Sequence, residues 1–190
     1  MKLLEEMIEK HGRVLSGNIL KVDNFLNHQV DPNLFMKMGE DFYEKFKYKK
    51  ITKVLTLEVS GIGIALTTAF FFKVPMVFAK KIASKTLVDD AWKSTVYSFT
   101  KDREYEIRVE KKYLTENDNV LIIDDFLANG KALGGLIDLC DQSGSKIEGI
   151  GIAIEKSFQE GGKLYREKGY EVYSQAMIKE FKDGKVVFER

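Results

Sequence analysis

Two adjacent carboxylates, Asp124 and Asp125, directly follow a run of four branched apolar residues at 120–123. A run this short and this branched is typical of a strand that is buried on both faces, as in a parallel sheet. A small-residue loop at 126–130 comes next, and apolar residues at helical spacing after it predict a helix. Because ligands of open α/β sheets bind at the carboxyl ends of the strands, we expect a ligand site at this corner.

The corner offers both donors and acceptors to a phosphorylated ligand. The loop amides and the free N–H groups of the helix's first turn form an anion site, and Ala128 and Gly130 allow a phosphate to approach the backbone. Ionised carboxylates only accept hydrogen bonds, so Asp124 and Asp125 suit ribose hydroxyls or Mg²⁺, held directly or through its water. Phosphoribosyl pyrophosphate combines a phosphate, a vicinal diol and a magnesium ion. The alternative interpretation is a surface turn whose acids merely begin a helix.

The sequence VLIIDDFLANGKA at 120–132 resembles the phosphoribosyl pyrophosphate motif of the type I phosphoribosyltransferases. The pattern of that family is an apolar strand, two acids, two apolar residues and a phosphate loop rich in threonine and glycine. Asn129 and Ala132 stand here where threonines are usual, which leaves main-chain N–H groups and Asn129 to hold the phosphate. The form DDFLANG is similar to the branch of the family that acts on xanthine, and the resemblance extends over nearly the whole chain.

The resemblance implies one α/β domain over residues 1–190 with the type I phosphoribosyltransferase fold. We expect a mostly parallel sheet of about five strands flanked by helices, with a hood over the base formed by residues 1–31 and the C-terminal segment. A flexible β-hairpin loop at about 82–110 would close over the site, because an oxocarbenium-like sugar must be kept from water.

Apolar patterning places the elements around this site. It predicts strands at 53–57, 74–79, 120–123, 149–154, 170–178 and 185–188, and helices at 1–10, 32–48, 64–72 and 163–168. It predicts irregular chain at 82–96 and two short antiparallel strands at 97–99 and 105–109. Asp183-Gly184 predicts a hairpin turn before the last strand.

By resemblance, the activity is transfer of the phosphoribosyl group of phosphoribosyl pyrophosphate to xanthine, giving xanthosine 5′-monophosphate and pyrophosphate in purine salvage. The cofactor implied is Mg²⁺, and the assembly implied is a homodimer. Asp124 and Asp125 would hold the ribose and its metal, and Lys81 would assist the leaving pyrophosphate. The residues that would bind phosphoribosyl pyrophosphate are Ser60 and Gly61 in a pyrophosphate loop and Ala128, Asn129, Gly130, Lys131 and Ala132 in the 5′-phosphate loop.

The base site implied by the resemblance consists of Leu20, Asn27 and Lys156. Lys156 follows a predicted strand, so it lies at the same sheet edge as Asp124. Its ammonium suits xanthine, which carries two carbonyl oxygens and ionises near neutral pH, whereas adenine would set donor against donor. Surface placement of Lys156 and a turn role for Asn27 are the alternatives.

Three other interpretations remain open from the sequence. One is the same reaction with guanine, hypoxanthine or adenine as the base. A second is a regulator that senses phosphoribosyl pyrophosphate without catalysis. The third is a nucleotide-binding α/β domain of unknown purpose. We assign no general base, since Ala128 stands where some oxopurine-specific relatives carry an aspartate.

Composition limits the partners. The 190 residues carry a formal net charge of +1, which gives no electrostatic reason to expect nucleic-acid or membrane binding. Cys140 is the single cysteine, so no intrachain disulfide can form, and we expect a buried thiol in a reducing cytoplasm. The charged N-terminus is unlike a signal peptide.

Overall fold

The structure is a computed structural model that describes residues 1–16, 19–82, 90–98 and 103–189, with the side chains of Ser98 and Arg103 left aside. The expected flexible loop lies partly outside these residues, at 83–89 and 99–102. Within the described ranges, no helix is both long and apolar enough to cross a membrane.

The chain alternates strands and helices, as an α/β fold requires. The helices are α1 (Lys2–His11), α2 (Pro32–Phe46), α3 (Gly61–Phe72), α4 (Lys131–Ser143) and α5 (Glu160–Glu167). The strands are β1 (Arg13–Leu15), β2 (Ile19–Lys21), β3 (Lys53–Leu57), β4 (Met76–Ile82), β5 (Ala91–Ser98), β6 (Arg103–Glu110), β7 (Asn119–Leu127), β8 (Lys146–Lys156), β9 (Val172–Lys182) and β10 (Lys185–Phe188). A single π-helical turn spans Asp23–Asn27.

The central sheet has the order β10-β9-β8-β7-β3-β4-β6-β5, and β1 and β2 form a separate two-stranded sheet. The pairs from β9 through β8, β7 and β3 to β4 are parallel. The predicted parallel core of about five strands is confirmed by β9, β8, β7, β3 and β4, and the sheet as a whole has eight strands. The other three strands, β10, β5 and β6, extend it as antiparallel strands at its two ends.

Apolar side chains cover both faces of the sheet, which explains why the central strands read as continuous apolar runs. Leu121 and Ile123 of β7 belong to one core cluster, together with buried residues of α1, α2 and α3. Val120 and Ile122 belong to the other, which includes residues of α4, β5 and β6. Cys140 of α4 is fully buried in this second cluster, and burial raises the pKa of its thiol to about 12, as the predicted structural role requires.

Several strands run further than the sequence predicted, because pairing with a neighbour extends them. β7 continues through both acids to Leu127, and its register with β8 holds as far as Glu155. β4 includes Lys80 and Lys81, which were expected after the strand, because residues 80–82 pair with β6. Residues 91–96, expected to be irregular, form most of β5.

Two other predictions of local structure differ in outcome. The helix that the sequence predicted to be buried is α3. The prediction is wrong for one side of this helix, where Leu66 and Phe70 are 58% and 65% exposed. The hairpin turn between β9 and β10 is confirmed, since Asp183 and Gly184 both have positive φ angles, of 50° and 73°.

Candidate active site

The acid pair lies inside β7, at the edge where the parallel strands end. Asp124 is buried, with only 4% of its surface exposed, and its Oδ1 accepts a hydrogen bond from the Asp125 amide at 3.0 Å. Burial raises the pKa of Asp124 well above its usual range, and the adjacent charge of Asp125 raises it further. Burial also raises the pKa of Asp125. An anion held in so little water calls for a cation or hydroxyl donors as partners.

Lys81 supplies positive charge to the pair. Its field lowers the pKa of both Asp124 and Asp125, which partly offsets the effect of burial. Glu58 fixes the backbone here, because its Oε1 accepts from the Lys81 amide at 2.5 Å. The Lys81 ammonium lies 5.4 Å from the centre of the Tyr105 ring. The side chain of Lys81 is exposed, and it is close enough to both carboxylates to lower their pKa values.

The predicted pyrophosphate corner lies directly beside the acids. Ser60 occupies the N-cap position of α3 without a side-chain capping hydrogen bond, and Gly61 is the first residue of that helix. A Cβ atom built on Gly61 would lie 3.4 Å from Asp124 Oδ1 and only 2.1 Å from Thr56 Oγ1. Glycine is therefore required at position 61 by close packing. Thr56 is fully buried, and within the described part of the chain its hydroxyl has no hydrogen-bond partner.

The predicted phosphate loop joins β7 to α4. Gly130 precedes α4 with a φ angle of 81°, a left-handed conformation that favours glycine, and no side chain caps the helix. The first-turn N–H groups of α4 are therefore available to an anion. Asn129 and Lys131 are exposed, whereas Ala128 and Ala132 are partly buried.

Sequence reasoning missed the residues of α5 that support this loop. The Tyr165 hydroxyl donates to the Gly130 carbonyl at 2.8 Å, and the Gly161 amide donates to the Ala128 carbonyl at 3.0 Å. Tyr165 is 6% exposed. The sequence carries no local signal for these contacts, since the hydroxyl contact joins residues 35 positions apart.

Lys156 is the last residue of β8, and the strand alternation places it on the same face as Ile154, which belongs to the first core cluster. Burial lowers the pKa of the Lys156 ammonium. The preceding residue, Glu155, is 1% exposed and makes a bidentate ion pair with Arg166 of α5, with both N–O distances at 2.7 Å. The Ser174 hydroxyl also donates to Glu155. Sequence reasoning missed this ion pair as well.

The expected hood contains residues from both ends of the described chain. Leu20 of β2 is 7% exposed and belongs to the same core cluster as Ile154, so its side chain is packed in the core. Asn27 ends the π-helical turn with an exposed side chain. The Met1 ammonium donates to the carbonyl of Gln175 in β9, which joins the two terminal segments. The structure groups Asp124, Asp125, Lys81 and Gly61.

The carboxylates fit a hydrated magnesium ion better than a metal held by protein alone. Among the described residues, no group of three or more His, Cys, Asp and Glu side chains could hold a metal ion. Mg²⁺ is usually held by one or two carboxylates together with water and substrate phosphates. Asp124 and Asp125 meet that requirement, and burial together with the adjacent charge of Asp125 raises the pKa of Asp124, an effect that a bound cation would oppose.

Comparison with solved structures defines the class of protein. An adenine phosphoribosyltransferase from Trypanosoma brucei superposes with a TM-score of 0.75 at 19% identity, covering 92% of this chain and 78% of that one. An APRTase from Giardia lamblia superposes with a TM-score of 0.73 at 26% identity, covering 85% and 87%. The fold, with two acids and a phosphate loop at its strand ends, is that of a type I phosphoribosyltransferase.

Comparison with curated sequences narrows this class. A xanthine phosphoribosyltransferase from Finegoldia magna is 59% identical over 189 residues, covering 100% of both chains. One from Ruminiclostridium cellulolyticum is 56% identical over 188 residues, covering 99% of both. No protein-family model matches the chain. At this identity and coverage, the chain belongs to the xanthine phosphoribosyltransferase family.

Proposed function

We propose that the chain transfers the phosphoribosyl group of phosphoribosyl pyrophosphate to xanthine, forming xanthosine 5′-monophosphate and pyrophosphate. One observation carries the proposal: at one edge of the parallel sheet, the end of β7 carries two acids, of which Asp124 is buried, and a glycine begins α4 directly after it. The neighbouring strand β8 ends in the partly buried Lys156. The curated relatives named for this reaction support the same assignment.

The protein's part in the reaction is mainly positioning. The N–H groups of the 128–132 loop and of the first turn of α4 hold the 5′-phosphate. Asp124 and Asp125 accept hydrogen bonds from the ribose hydroxyls, which fixes the sugar between the two phosphate sites. The amides at Ser60 and Gly61 and the Lys81 ammonium bind the pyrophosphate and stabilise the charge that it gains as it leaves.

The base nitrogen then displaces pyrophosphate at the anomeric carbon. Lys156 donates to a xanthine oxygen, and Asn27 and the backbone of Leu20 complete the base site. No residue is assigned as general base, because the xanthine anion carries the electron pair that attacks. Mg²⁺ on Asp124 and Asp125, directly or through water, would neutralise diphosphate charge when bound.

The proposal also covers the domain, the hood, the flexible loop and the assembly around the site. Residues 1–190 form one domain, whose N-terminal and C-terminal segments cover the base as a hood. The contact between Met1 and Gln175 supports that arrangement. The flexible loop at 82–110 excludes water during the reaction. The protein acts as a cytoplasmic homodimer.

A panel of bases tests the proposal. Product formation is measured with Mg²⁺, phosphoribosyl pyrophosphate and either xanthine, guanine, hypoxanthine or adenine. The variant is Lys156→Ala, and the control is Lys146→Ala, which removes an exposed lysine from the opposite end of β8. We expect the KM for xanthine to rise about 10- to 100-fold in Lys156→Ala, since a hydrogen bond to a charged group contributes about 1.5–3 kcal/mol.

The outcomes separate the open alternatives. A higher kcat/KM for guanine, hypoxanthine or adenine than for xanthine would show the same chemistry with another base. Binding of phosphoribosyl pyrophosphate without turnover of any base would show a sensor. If Lys146→Ala and Lys156→Ala change the xanthine KM equally, the base-site assignment of Lys156 is wrong.

A further inference from the structure

Helix α5 holds the phosphate loop from the side opposite to the expected phosphate. Two carbonyls of the loop, those of Ala128 and Gly130, accept hydrogen bonds from α5, at 3.0 Å from the Gly161 amide and 2.8 Å from the Tyr165 hydroxyl. The Gly130 carbonyl also accepts from the Gly134 amide of α4 at 2.9 Å. The directions of two alternate peptide groups in the loop are therefore fixed from outside it.

The direction of a carbonyl determines the direction of the next amide. In a planar trans peptide group, the C=O and the N–H bonds point to opposite sides. Because α5 holds the carbonyls of Ala128 and Gly130, the N–H groups of Asn129 and Lys131 point away from α5. Those are two of the N–H groups that the proposed function assigns to the 5′-phosphate.

The contact between α5 and the loop leaves no spare space. A Cβ atom built on Gly161 would lie 2.4 Å from the Ala128 carbonyl oxygen and 2.7 Å from the Gly130 nitrogen. One built on Gly130 would lie 2.6 Å from Tyr165 Cε2, and one on Gly134 would lie 2.6 Å from the Tyr165 hydroxyl oxygen. Glycines on three sides thus allow the tyrosine and the first turn of α5 to touch the loop backbone directly.

The composition of this loop makes the support important. Asn129 and Ala132 replace threonines of the family pattern, so two hydroxyl donors are missing and more of the binding depends on main-chain N–H groups. Main-chain donors bind an anion well only when they are already oriented toward it. An unsupported loop would lose conformational entropy each time it bound the phosphate.

We infer that α5 orients the N–H groups of the phosphate loop before the phosphate binds. Tyr165 is the positioning residue, and Gly161 is the residue of α5 that lies against the loop backbone. The inference rests on the proposed function, because it deepens the assignment of the 5′-phosphate site. Tyr165 touches no substrate in this arrangement, and its effect passes through the Gly130 carbonyl.

Tyr165→Phe tests the inference, because it removes the hydroxyl and keeps the ring. The control is Tyr173→Phe, which removes another tyrosine hydroxyl bond, 2.9 Å from Asp41 Oδ2. For each protein, the KM for phosphoribosyl pyrophosphate, the KM for xanthine and kcat are measured, together with calorimetric binding of ribose 5-phosphate. We expect Tyr165→Phe to weaken both phosphorylated ligands roughly three- to tenfold, as the usual net contribution of one hydrogen bond predicts. The xanthine KM should stay within about twofold of wild type, and Tyr173→Phe should change none of these values.

A second variant tests the inference if another group, such as a water molecule, replaces the hydrogen bond that Tyr165→Phe removes. Gly161→Ala places a methyl group against the Ala128 carbonyl and should weaken ribose 5-phosphate binding more strongly, while thermal melting reports whether the protein is folded. Wild-type protein that neither binds ribose 5-phosphate nor turns over xanthine overturns the proposed function, and the inference with it. Wild-type binding that both variants leave unchanged overturns the inference alone, as does an equal rise of both KM values.

Discussion

The close packing of Gly61 against Thr56 leads to a specific prediction for Gly61→Ala. The added Cβ would lie 2.1 Å from Thr56 Oγ1, whereas ordinary contact begins near 3.4 Å. Thr56 is fully buried, and its β-branched side chain has few rotamers, so it cannot turn away easily. The start of α3 must therefore shift by more than an ångström, beside Asp124 and at the proposed pyrophosphate amides.

The size of the effect follows from that shift. Overpacking of this kind costs about 1–3 kcal/mol of the free energy of unfolding. A misplacement of about 1 Å in a substrate-binding group can reduce catalysis by about a hundredfold. We therefore expect Gly61→Ala to remain folded and to lose about a hundredfold in kcat/KM for phosphoribosyl pyrophosphate, measured by product formation with saturating xanthine.

Two double variants identify the cause. Adding Thr56→Ala removes Oγ1 and leaves the Thr56 Cβ position 3.5 Å from the new methyl group, so it should restore most of the activity. Adding Thr56→Val keeps the bulk at the Oγ1 position and should restore little. The Thr56 hydroxyl has no hydrogen-bond partner among the described residues, so neither change breaks a recorded bond. If the two double variants have equal activity, the steric explanation is refuted.

Two further predictions concern charge. Asp124→Asn should abolish turnover and stabilise the free protein at neutral pH. Burial raises the pKa of Asp124 well above its usual range in the folded state, so its ionisation opposes folding as pH rises through the folded-state pKa. Urea unfolding at pH 8 and pH 4 measures the gain in stability, and a gain that does not shrink at the lower pH contradicts the prediction. Arg166→Met should lower the free energy of unfolding by about 2–3 kcal/mol. This is less than for a fully buried ion pair, because Arg166 is 35% exposed. Adding Glu155→Gln should recover part of the loss, and a Glu155→Gln cost that simply adds to that of Arg166→Met would refute the energetic coupling between the two side chains.

The parallel centre of the sheet was predictable because its strands are short apolar runs, buried on both faces and bounded by polar residues. The predictions failed at positions where pairing with a neighbouring strand determines the secondary structure. Lys80 and Lys81 look like a basic turn, yet β6 pairs with them and keeps them in β4. Residues 91–96 look polar and irregular, yet their pairing with β6 makes them a strand. Antiparallel pairing at the end of a sheet tolerates polar side chains, so hydrophobic patterning gives little signal there.

The site was predictable in its ligand-facing residues and not in their supports. Asp124, Asp125 and the loop to Ala132 are contiguous, so the whole motif can be read from thirteen residues at 120–132. Tyr165 contacts that motif from a helix some thirty residues later, and Arg166 of the same helix pairs with Glu155 of β8. The paired glycines at 161 and 162 suggest close approach of another backbone, but they identify neither of these side chains.

The features that oppose stability are concentrated at one edge of the sheet. The Asp124 carboxyl group is buried beside a second acid, and the Thr56 hydroxyl is buried with no hydrogen-bond partner among the described residues. Elsewhere in the described core, Glu155 shows that the fold can satisfy a buried carboxylate fully when function does not require otherwise. Asp124, on the neighbouring strand, is buried beside the charge of Asp125, as expected if the proposed sugar and metal provide its further partners.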